Sequence, residues 1–404
     1  MHYGGKPMNF LDLAKKYEDR VIGIRHELHR HPELSSEEKW TTDRICQELD
    51  SIGLEYKRFE PSGVICDIKG NKPGNKTVAL RADIDALPQT EQTGLEFSSE
   101  IPGKMHACGH DTHAAMLLGA AMIINDVRDE FGGTIRLLFQ PGEEGKGNFI
   151  PGEEPMGGAQ FMCKMGALEG VDAIFGQHIG PREGMTGYYV YNYGASAASA
   201  NKFTIKIHGK ATHGAFPQTG ADASVAAAAV VMALQTLVSR DSDPFKPLVV
   251  TIGQINSGSV FNIISGEATI IGTVRTFDRE FNNNMPEMMQ RIASNVAAGY
   301  KCTAEVIYEV NTEVLINDDT MVDIAKGAAE KVVGANKVFR GSPTMGGEDF
   351  AEYTKYCPSG FVNLVCSGKY PNHSNFFTVD EAGFKYGSAF LTQVAFDYLE
   401  KYND

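Results

Sequence analysis

The hydrophobic pattern changes along the chain. Up to about residue 193, short apolar runs rich in β-branched residues alternate with stretches of helical periodicity, which is typical of βα units with a largely parallel sheet. The predicted strands of this sheet are "VICDIKG", "TVALRADID", "GTIRLLFQP", "VDAIFGQHIG" and, far downstream, "GFVNLVC". We therefore predict an α/β domain whose sheet is discontinuous in the chain.

A segment of different pattern interrupts this sheet. There, "KFTIKIHG", "LVVTIGQINSG", "EATIIGTVRTF" and "KCTAEVIYEV" alternate apolar and polar positions, as strands with one exposed face do. Residues 222–238 and 282–300 have helical patterns, and the first of these is apolar over most of its surface, so it lies deep or meets another subunit. The sequence thus predicts a larger domain, residues 1–196 plus 310–404, interrupted by a small α+β domain, residues 197–309.

Composition narrows the class of protein. The chain has 404 residues, more than one hydrophobic core usually serves, so two domains are expected. A formal charge of -14 disfavours a nucleic-acid partner, because phosphate binding needs a basic surface. No apolar stretch matches a bilayer span and the N-terminus lacks the apolar core of a signal peptide, so we expect no membrane association. Seven scattered cysteines favour a reducing, cytoplasmic location.

The motif "MHACGHDTHAAMLLGAA" crowds metal-capable side chains ahead of an apolar helix. His106, Cys108 and His110 alternate, and residues two apart on a helix point away from each other, so these three must lie on an extended or irregular segment. Asp111 or Thr112 is then expected to cap the helix that follows. The motif therefore places Cys108 and His110 at a loop-to-helix junction.

Polar side chains also stand at the ends of four predicted strands. They are Asp83 and Asp85, Glu143 and Glu144, His178, and His373. In an open α/β sheet such strand ends line one edge, which is where ligands bind. Together with the motif they supply soft, borderline and hard donors, which suit zinc and related divalent ions better than calcium or magnesium. The predicted ligands are Cys108, His110, Glu144, His178 and His373.

Five ligands are too many for one tetrahedral zinc ion that keeps a position open for water. A pair of ions about 3.5–4 Å apart, with one bridging ligand and a shared water, uses all five. Adjacent side chains on an extended segment face opposite ways, so we assign Glu144 as a ligand and Glu143 as the general base, which coordination must not neutralise. The sequence therefore predicts hydrolysis by a metal-activated water.

Two alternatives remain open at this point. In the first, Cys108 is a nucleophile with His106, His110 or His113 as its base, and activity would survive a chelator but not an alkylating agent. In the second, the protein binds acyl amino acids or peptides without turning them over, which the fold alone does not exclude. A receptor has no need for a base, so Glu143 speaks against the second alternative.

Eight ordered motifs resemble those of the aminoacylase and amidohydrolase family, which includes hippurate hydrolases, auxin-conjugate hydrolases and thermostable bacterial carboxypeptidases. The motifs are "RADIDALP", "MHACGHDTHAAMLLGAA", "LLFQPGEEG", "FGQHIGP", "GKATHGAFPQTGADA", "GTVRTFD", "GGEDFAEY" and "NHSNFF". The resemblance implies a two-domain, di-metal hydrolase that cleaves the amide bond of N-acyl-L-amino acids with acetyl, benzoyl or similar acyl groups. Alternatively, it implies a carboxypeptidase or dipeptidase on short peptides. The inserted domain would be the lid and dimerisation domain of a homodimer or higher oligomer.

The resemblance also implies roles for single residues. The five predicted ligands and the base at Glu143 match the family's motifs, and Asp85 would orient a ligand. His213 would reach a neighbouring subunit's active site and support the oxyanion, while Asn262 and Arg275 would bind the substrate carbonyl or carboxylate.

Two features of the chain leave questions open. Other branches carry a His-x-Asp pair where this chain has "RADID", and often an Asp in place of Cys108, so the metal remains open between zinc, manganese, nickel and cobalt. The preferred acyl group is also open, since one methylene changes binding by only about 1–3 kcal/mol. Residues 146–170 either shape the acyl pocket or form a surface loop, and we favour the loop.

Overall fold

A computed structural model describes residues 2–3 and 6–403 of the chain. The chain divides into two compact units, each described by itself below. The larger unit comprises Met1–Ser196, Ile316–Ser342 and Glu352–Asp404, and the smaller unit comprises Ala197–Leu315 and Pro343–Ala351. The larger unit is therefore assembled from three separate segments of the chain.

The α-helices of the described residues fall in both units. They are α1 (Phe10–Arg30), α2 (Lys39–Ser51), α3 (His110–Asp126), α4 (Gly158–Lys164), α5 (Ala223–Thr236), α6 (Arg279–Gly299), α7 (Asp319–Val333) and α8 (Phe384–Tyr402). The strands are β1 (His2–Tyr3), β2 (Lys6–Pro7), β3 (Tyr56–Arg58), β4 (Val64–Lys69), β5 (Lys72–Asp83), β6 (Gly132–Gln140), β7 (Ala173–Pro181), β8 (Tyr188–Tyr191), β9 (Gly194–Ala197), β10 (Ala200–His208), β11 (Thr212–His213), β12 (Leu248–Ser257), β13 (Ile263–Ile264), β14 (Glu267–Thr276), β15 (Thr303–Thr312), β16 (Leu315–Asn317), β17 (Val338–Arg340) and β18 (Ser359–Cys366).

The larger unit contains an eight-stranded sheet in the order β17-β8-β18-β7-β5-β6-β4-β3. Its four central strands, β18, β7, β5 and β6, run parallel to one another. β8 and β4 flank them and run antiparallel to β18 and β6. The predicted α/β class with a mostly parallel sheet is confirmed, and β18 joins from far downstream as expected.

Helix α3 is the central helix of the larger unit. Its residues from His110 to Ile124 are all buried, and the helix packs against α1, α8 and strand β5. A Cβ atom on Gly119 would lie 2.4 Å from the Ser388 hydroxyl oxygen, so the α3–α8 contact requires glycine here. This all-round burial explains why the helix after the His/Cys motif is apolar on every face.

The smaller unit has a four-stranded antiparallel sheet in the order β12-β14-β10-β15. Helices α5 and α6 pack against it, and alternate residues of β10, namely Phe203, Ile205 and Ile207, lie in the core between them. Alternation of this kind is the pattern from which an α+β domain is predicted.

Large apolar side chains lie exposed on the smaller unit. Met232 of α5 is 71% exposed, Ile255 of edge strand β12 is 54% exposed, and Phe261 is fully exposed. Among the described residues, one helical segment, Ala223–Asp241, is long and apolar enough by composition to cross a bilayer. Such a segment is weak evidence for a membrane span, and an apolar surface of this kind also fits a protein contact.

Candidate metal centre

The strand order brings the predicted carboxylates and imidazoles to one edge of the larger sheet. Asp83 ends β5, Glu143 and Glu144 follow β6, and His178 lies near the end of the adjacent β7. His373 follows β18, which pairs with β7. Because parallel strands end at the same edge, residues that are far apart in sequence become neighbours here.

The donor atoms of the predicted ligands form two overlapping groups. Cys108, His110 and His178 have donor atoms within 4.8 Å of one another, and so do Cys108, Glu144 and His373. The Cys108 sulfur lies 3.3 Å from Nε2 of His178, and Nε2 of His373 lies 3.1 Å from Oε1 of Glu144. The structure thus gathers all five predicted ligands into two groups that share the Cys108 sulfur.

Two of the imidazoles have the orientation that a cation requires. Nδ1 of His110 lies 3.0 Å from Oδ1 of Asp85, and no group among the described residues hydrogen-bonds to its buried Nε2. Nδ1 of His178 lies 2.8 Å from the Ile179 carbonyl, so its Nε2 is turned towards Cys108. Metal-bound histidines commonly donate the other ring N–H in this way. The residues therefore fit divalent ions with nitrogen and sulfur ligands.

The pKa of His178 supports the same fit. Burial and the nearby His113 ring lower the pKa of His178 to about 3, so its imidazole is neutral, as a metal ligand must be. Burial raises the pKa of the Cys108 thiol well above its usual value. A buried thiol of that kind is a poor nucleophile in the absence of a cation. The raised pKa of Cys108 disfavours the alternative in which this thiol attacks the substrate.

Asp85 connects three parts of the centre. Besides His110, its carboxylate accepts hydrogen bonds from the backbone N–H of Glu144 at 2.9 Å and from the Ser35 hydroxyl at 2.7 Å. Burial would raise the pKa of Asp85, but the hydrogen bonds from His110 and from the Glu144 backbone lower it below its usual value. Asp85 is therefore an ionised, fully buried anchor.

The expected helix cap is wrong. Residues 106–109 are irregular, as predicted, but α3 begins at His110 with Gly109 as its N-cap, and no side chain caps it. Asp111 instead pairs with Arg25 at 2.9 Å and with His29 at 2.7 Å, and the Thr112 hydroxyl binds the Gly109 carbonyl. Gly109 has a φ of 92°, and a Cβ there would lie 2.5 Å from Ile179. The close packing against β7 therefore decides how the helix starts.

A second buried network was missed from the sequence. The Arg81 guanidinium pairs with Asp83 at 2.8 Å, Asp83 pairs with Nδ1 of His113, and Nε2 of His113 accepts the Ile179 N–H at 2.8 Å. His113 is therefore a hydrogen-bonded structural residue beside His178. Neither the "RADID" nor the "THAAM" segment indicates this pairing by itself, because the contact forms only when β5 and β7 lie side by side in the sheet.

The smaller unit holds the other predicted site residues. Residues His213 and Ile263 face each other in a short β-ladder, and the Asn262 carbonyl accepts the Gly214 N–H at 2.8 Å, so His213 and Asn262 lie in one exposed loop cluster. Arg275 lies on β14 and is half-buried. Burial is the cause of its lowered pKa, and among the described residues no carboxylate forms a salt bridge with it.

The segment after the paired glutamates is only partly a surface loop. Residues 151–155 are exposed, as the loop interpretation expects. Phe149, however, is buried and stacks on Phe161 of α4 with ring centroids 4.7 Å apart. The segment is therefore anchored at both sides of its exposed turn.

Linked nitrogen, sulfur and oxygen donor groups at the edge of a parallel sheet define the class of protein as a metal-dependent hydrolase. The family model described as Peptidase family M20/M25/M40 matches residues 79–397. N-acetyl-L-cysteine deacetylase of Bacillus subtilis is 37% identical over 390 residues, 96% of this chain and 89% of that protein. Thermostable carboxypeptidase 2 of Saccharolobus solfataricus is 35% identical over 396 residues, 96% of this chain and 98% of that protein.

A solved structure agrees with these relatives. The crystal structure of a dinuclear metal-binding peptidase of the M20 family from Bacillus subtilis is 36% identical, with a TM-score of 0.82 over 96% of this chain and 99% of that chain. The chain belongs to peptidase family M20/M25/M40. It is a metal-dependent amidohydrolase of that family, and the family resemblance read from the motifs is confirmed.

Proposed function

We propose that this protein hydrolyses the amide bond of N-acyl-L-amino acids at a pair of divalent ions. The observation that carries the proposal is the two overlapping donor groups that share the Cys108 sulfur. Cys108, His110, Glu144, His178 and His373 would hold the two ions, which are zinc, manganese, nickel or cobalt. When bound, the ions would polarise the substrate carbonyl and lower the pKa of a water molecule. The deacetylase relative supports an acyl amino acid as substrate.

Glu143 is the proposed general base. Its Oε2 lies 3.9 Å from Nε2 of His110, and its carboxylate belongs to a donor group with His110 and Glu144. It therefore stands beside the ligands while a different carboxylate, that of Glu144, faces His373. Glu143 would take a proton from the attacking water and deliver it to the departing amine nitrogen.

Residues of the smaller unit would recognise the substrate. Arg275 is a half-buried guanidinium without a salt bridge among the described residues, which suits the free carboxylate of an amino acid. His213 and Asn262 form one exposed cluster of polar groups, and we assign them to the substrate carbonyl and its developing oxyanion. His213 would act on the active site of a neighbouring subunit.

The smaller unit, which contains the predicted insert of residues 197–309, is also the proposed lid and dimerisation domain. Edge strand β12 presents unpaired backbone groups, and the smaller unit carries most of the exposed large apolar side chains of the described residues, among them Met232, Ile255 and Phe261. The proposed partner on this surface is a second copy of the chain. We place the protein in the cytoplasm, without a nucleic-acid or membrane partner.

A carboxypeptidase or dipeptidase activity on short peptides is the second candidate, favoured by the thermostable carboxypeptidase relative.

One experiment distinguishes the candidates. The purified protein is stripped with a chelator, reloaded with each of the four metals, and assayed for free amino acid released from acetyl, benzoyl and indoleacetyl amino acids and from dipeptides. We expect loss of activity on chelation, recovery with metal, and faster release from acyl amino acids. Activity that survives chelation but not alkylation would restore Cys108 as the nucleophile. Tight binding without turnover of any compound would restore the non-catalytic binding protein.

A further inference from the structure

A fully buried carboxyl group contacts the segment that carries the paired glutamates. Glu38 stands just before α2 and has no solvent exposure. One of its oxygens accepts the backbone N–H of Gly142 at 2.7 Å, and the other accepts the Ser62 hydroxyl at 2.9 Å. The first contact joins a helix start near the N-terminus to the residue immediately before Glu143.

The backbone is held on both sides of Glu143 by buried carboxyl groups. Glu38 binds the N–H of Gly142, and Asp85 binds the N–H of Glu144. The Gly142 carbonyl is also bound, by the Gly158 N–H at 2.8 Å. Gly142 has a φ of 60°, and a Cβ there would lie 2.6 Å from Phe149. The backbone on each side of Glu143 is therefore held by hydrogen bonds to groups outside the segment.

Stability alone does not account for a carboxyl group at this position. Burial and the negative charge of Asp85 raise the pKa of Glu38 to about 8, so ionising it inside the protein is unfavourable. Buried ionisable groups of this kind often weaken a fold relative to an apolar residue of similar size. The carboxyl group accepts a hydrogen bond from the Gly142 N–H, which an apolar side chain cannot do.

We propose that Glu38 is a positioning residue that sets the direction of the Glu143 carboxylate through the Gly142 N–H. The inference rests on the proposed function, in which Glu143 is the general base. A base displaced by about 1 Å loses much of its effect, on the order of 10²-fold in rate. Removing the Glu38 contact should therefore lower kcat while leaving substrate binding and metal content in place.

The test variant is Glu38→Met, which keeps the length of the side chain and removes both hydrogen bonds. With N-acetyl-L-cysteine as substrate on the metal-loaded protein, we expect kcat to fall roughly 10- to 100-fold with KM and bound metal within about twofold of wild type. Glu38→Gln, whose amide oxygen still accepts the Gly142 N–H, should restore most of kcat. Glu38→Asp serves as the second variant if Glu38→Met does not fold, with a smaller loss of kcat.

The matched control is Thr42→Val, on the same turn of α2. It removes the Thr42 hydroxyl that binds the Glu38 carbonyl at 2.6 Å and accepts the Gly63 N–H, but it leaves Gly142 untouched. It should lower Tm and leave kcat unchanged. Equal losses of kcat in Thr42→Val and Glu38→Met would overturn the proposal, because both would then report general destabilisation.

A double variant separates this inference from the proposed function. If Glu38 acts through Glu143, adding Glu38→Met to Glu143→Gln causes no further loss of kcat. A multiplicative loss in the double variant overturns the positioning role, as does wild-type kcat in Glu38→Met alone. Wild-type kcat in Glu143→Gln alone would instead show that the base assignment itself is wrong.

Discussion

His110 and Asp85 are joined by a buried contact of 3.0 Å between Nδ1 and Oδ1, and this contact turns Nε2 of His110 towards the donor groups of the candidate metal centre. The pairing links a residue at the start of α3 to one that follows β5. Asp85 itself lies outside the donor groups, but through this contact it would affect how tightly the centre binds metal.

Asp85→Asn should therefore weaken metal binding by about 10- to 100-fold. The amide lacks the negative charge with which Asp85 holds the His110 ring and accepts the Glu144 N–H. Competition with a chromophoric chelator measures the affinity, and Asp67→Asn, which alters an exposed pair with Arg136, is the control. Unchanged affinity in Asp85→Asn would show that the contact does not orient the ligand.

Glu143→Gln should lower kcat by roughly 10²–10⁴-fold, because the amide cannot accept a proton from water. Bound metal, measured by elemental analysis, should stay at the wild-type ratio, since Glu143 is not an assigned ligand. Loss of metal together with activity would mean that Glu143 is a ligand and that another group is the base.

Arg275→Met should weaken recognition of the substrate carboxylate. Loss of a charged hydrogen bond is worth about 1.5–3 kcal/mol, which corresponds to roughly 10- to 150-fold in kcat/KM. The loss should be confined to acyl amino acids with a free carboxylate and should be absent for the matching amides. Arg240→Met, at an exposed position of the same unit, is the control. An equal loss of kcat/KM on acids and amides would show that Arg275 does not bind the carboxylate.

Glu91 should stabilise the fold at neutral pH and lose this effect in acid. Burial would raise its pKa, but the hydrogen bond and charge of His29 and the Ser99 N–H lower the pKa of Glu91 from 4.5 to about 2. A lowered carboxyl pKa stabilises the fold above pH 4.5, and that stabilisation is lost as pH falls from 4.5 to 2. Glu91→Gln should cost on the order of 1–2 kcal/mol at pH 7 after allowance for solvent screening. Urea unfolding at pH 7 and pH 3 should show a smaller difference between the two proteins at pH 3, and a constant difference would contradict the prediction.

Met232→Arg should disrupt the proposed dimer. It replaces an apolar side chain that is 71% exposed by a charged one in the proposed interface. Light scattering after gel filtration should show a shift from dimer to monomer. Met165→Arg, at a less exposed position of the larger unit, should leave the mass unchanged. A wild-type protein that is monomeric at micromolar concentration would exclude the dimer outright.

Much of the fold was predictable because its strands and helices have strong periodic signals. The five strand runs named for the large sheet lie within or overlap β4, β5, β6, β7 and β18, and the apolar helix of residues 222–238 is α5. The start of α3 was not predictable. Asp111 is a good cap by residue type, but its carboxylate is taken by Arg25 and His29, which come from a helix far away in the sequence.

The candidate site was predictable only in part, for a related reason. Cys108 and His110 form a dense local motif, whereas Glu38 is one glutamate in the polar run "HPELSSEEKWTT". Nothing local distinguishes Glu38 from its exposed neighbour Glu37. Its burial follows from the packing of α2 against the loops that hold Ser62 and Gly142.

The amino-acid order by itself determined which elements form and which donor atoms are available, since periodicity, glycine placement and ligand chemistry are local properties of the chain. The tertiary structure decided which donors meet. Parallel strands bring β5, β6, β7 and β18 to one edge, so that Cys108 is shared by two donor groups. It also decided which carboxylates orient the others, because burial and hydrogen-bond partners are set only when distant segments pack together.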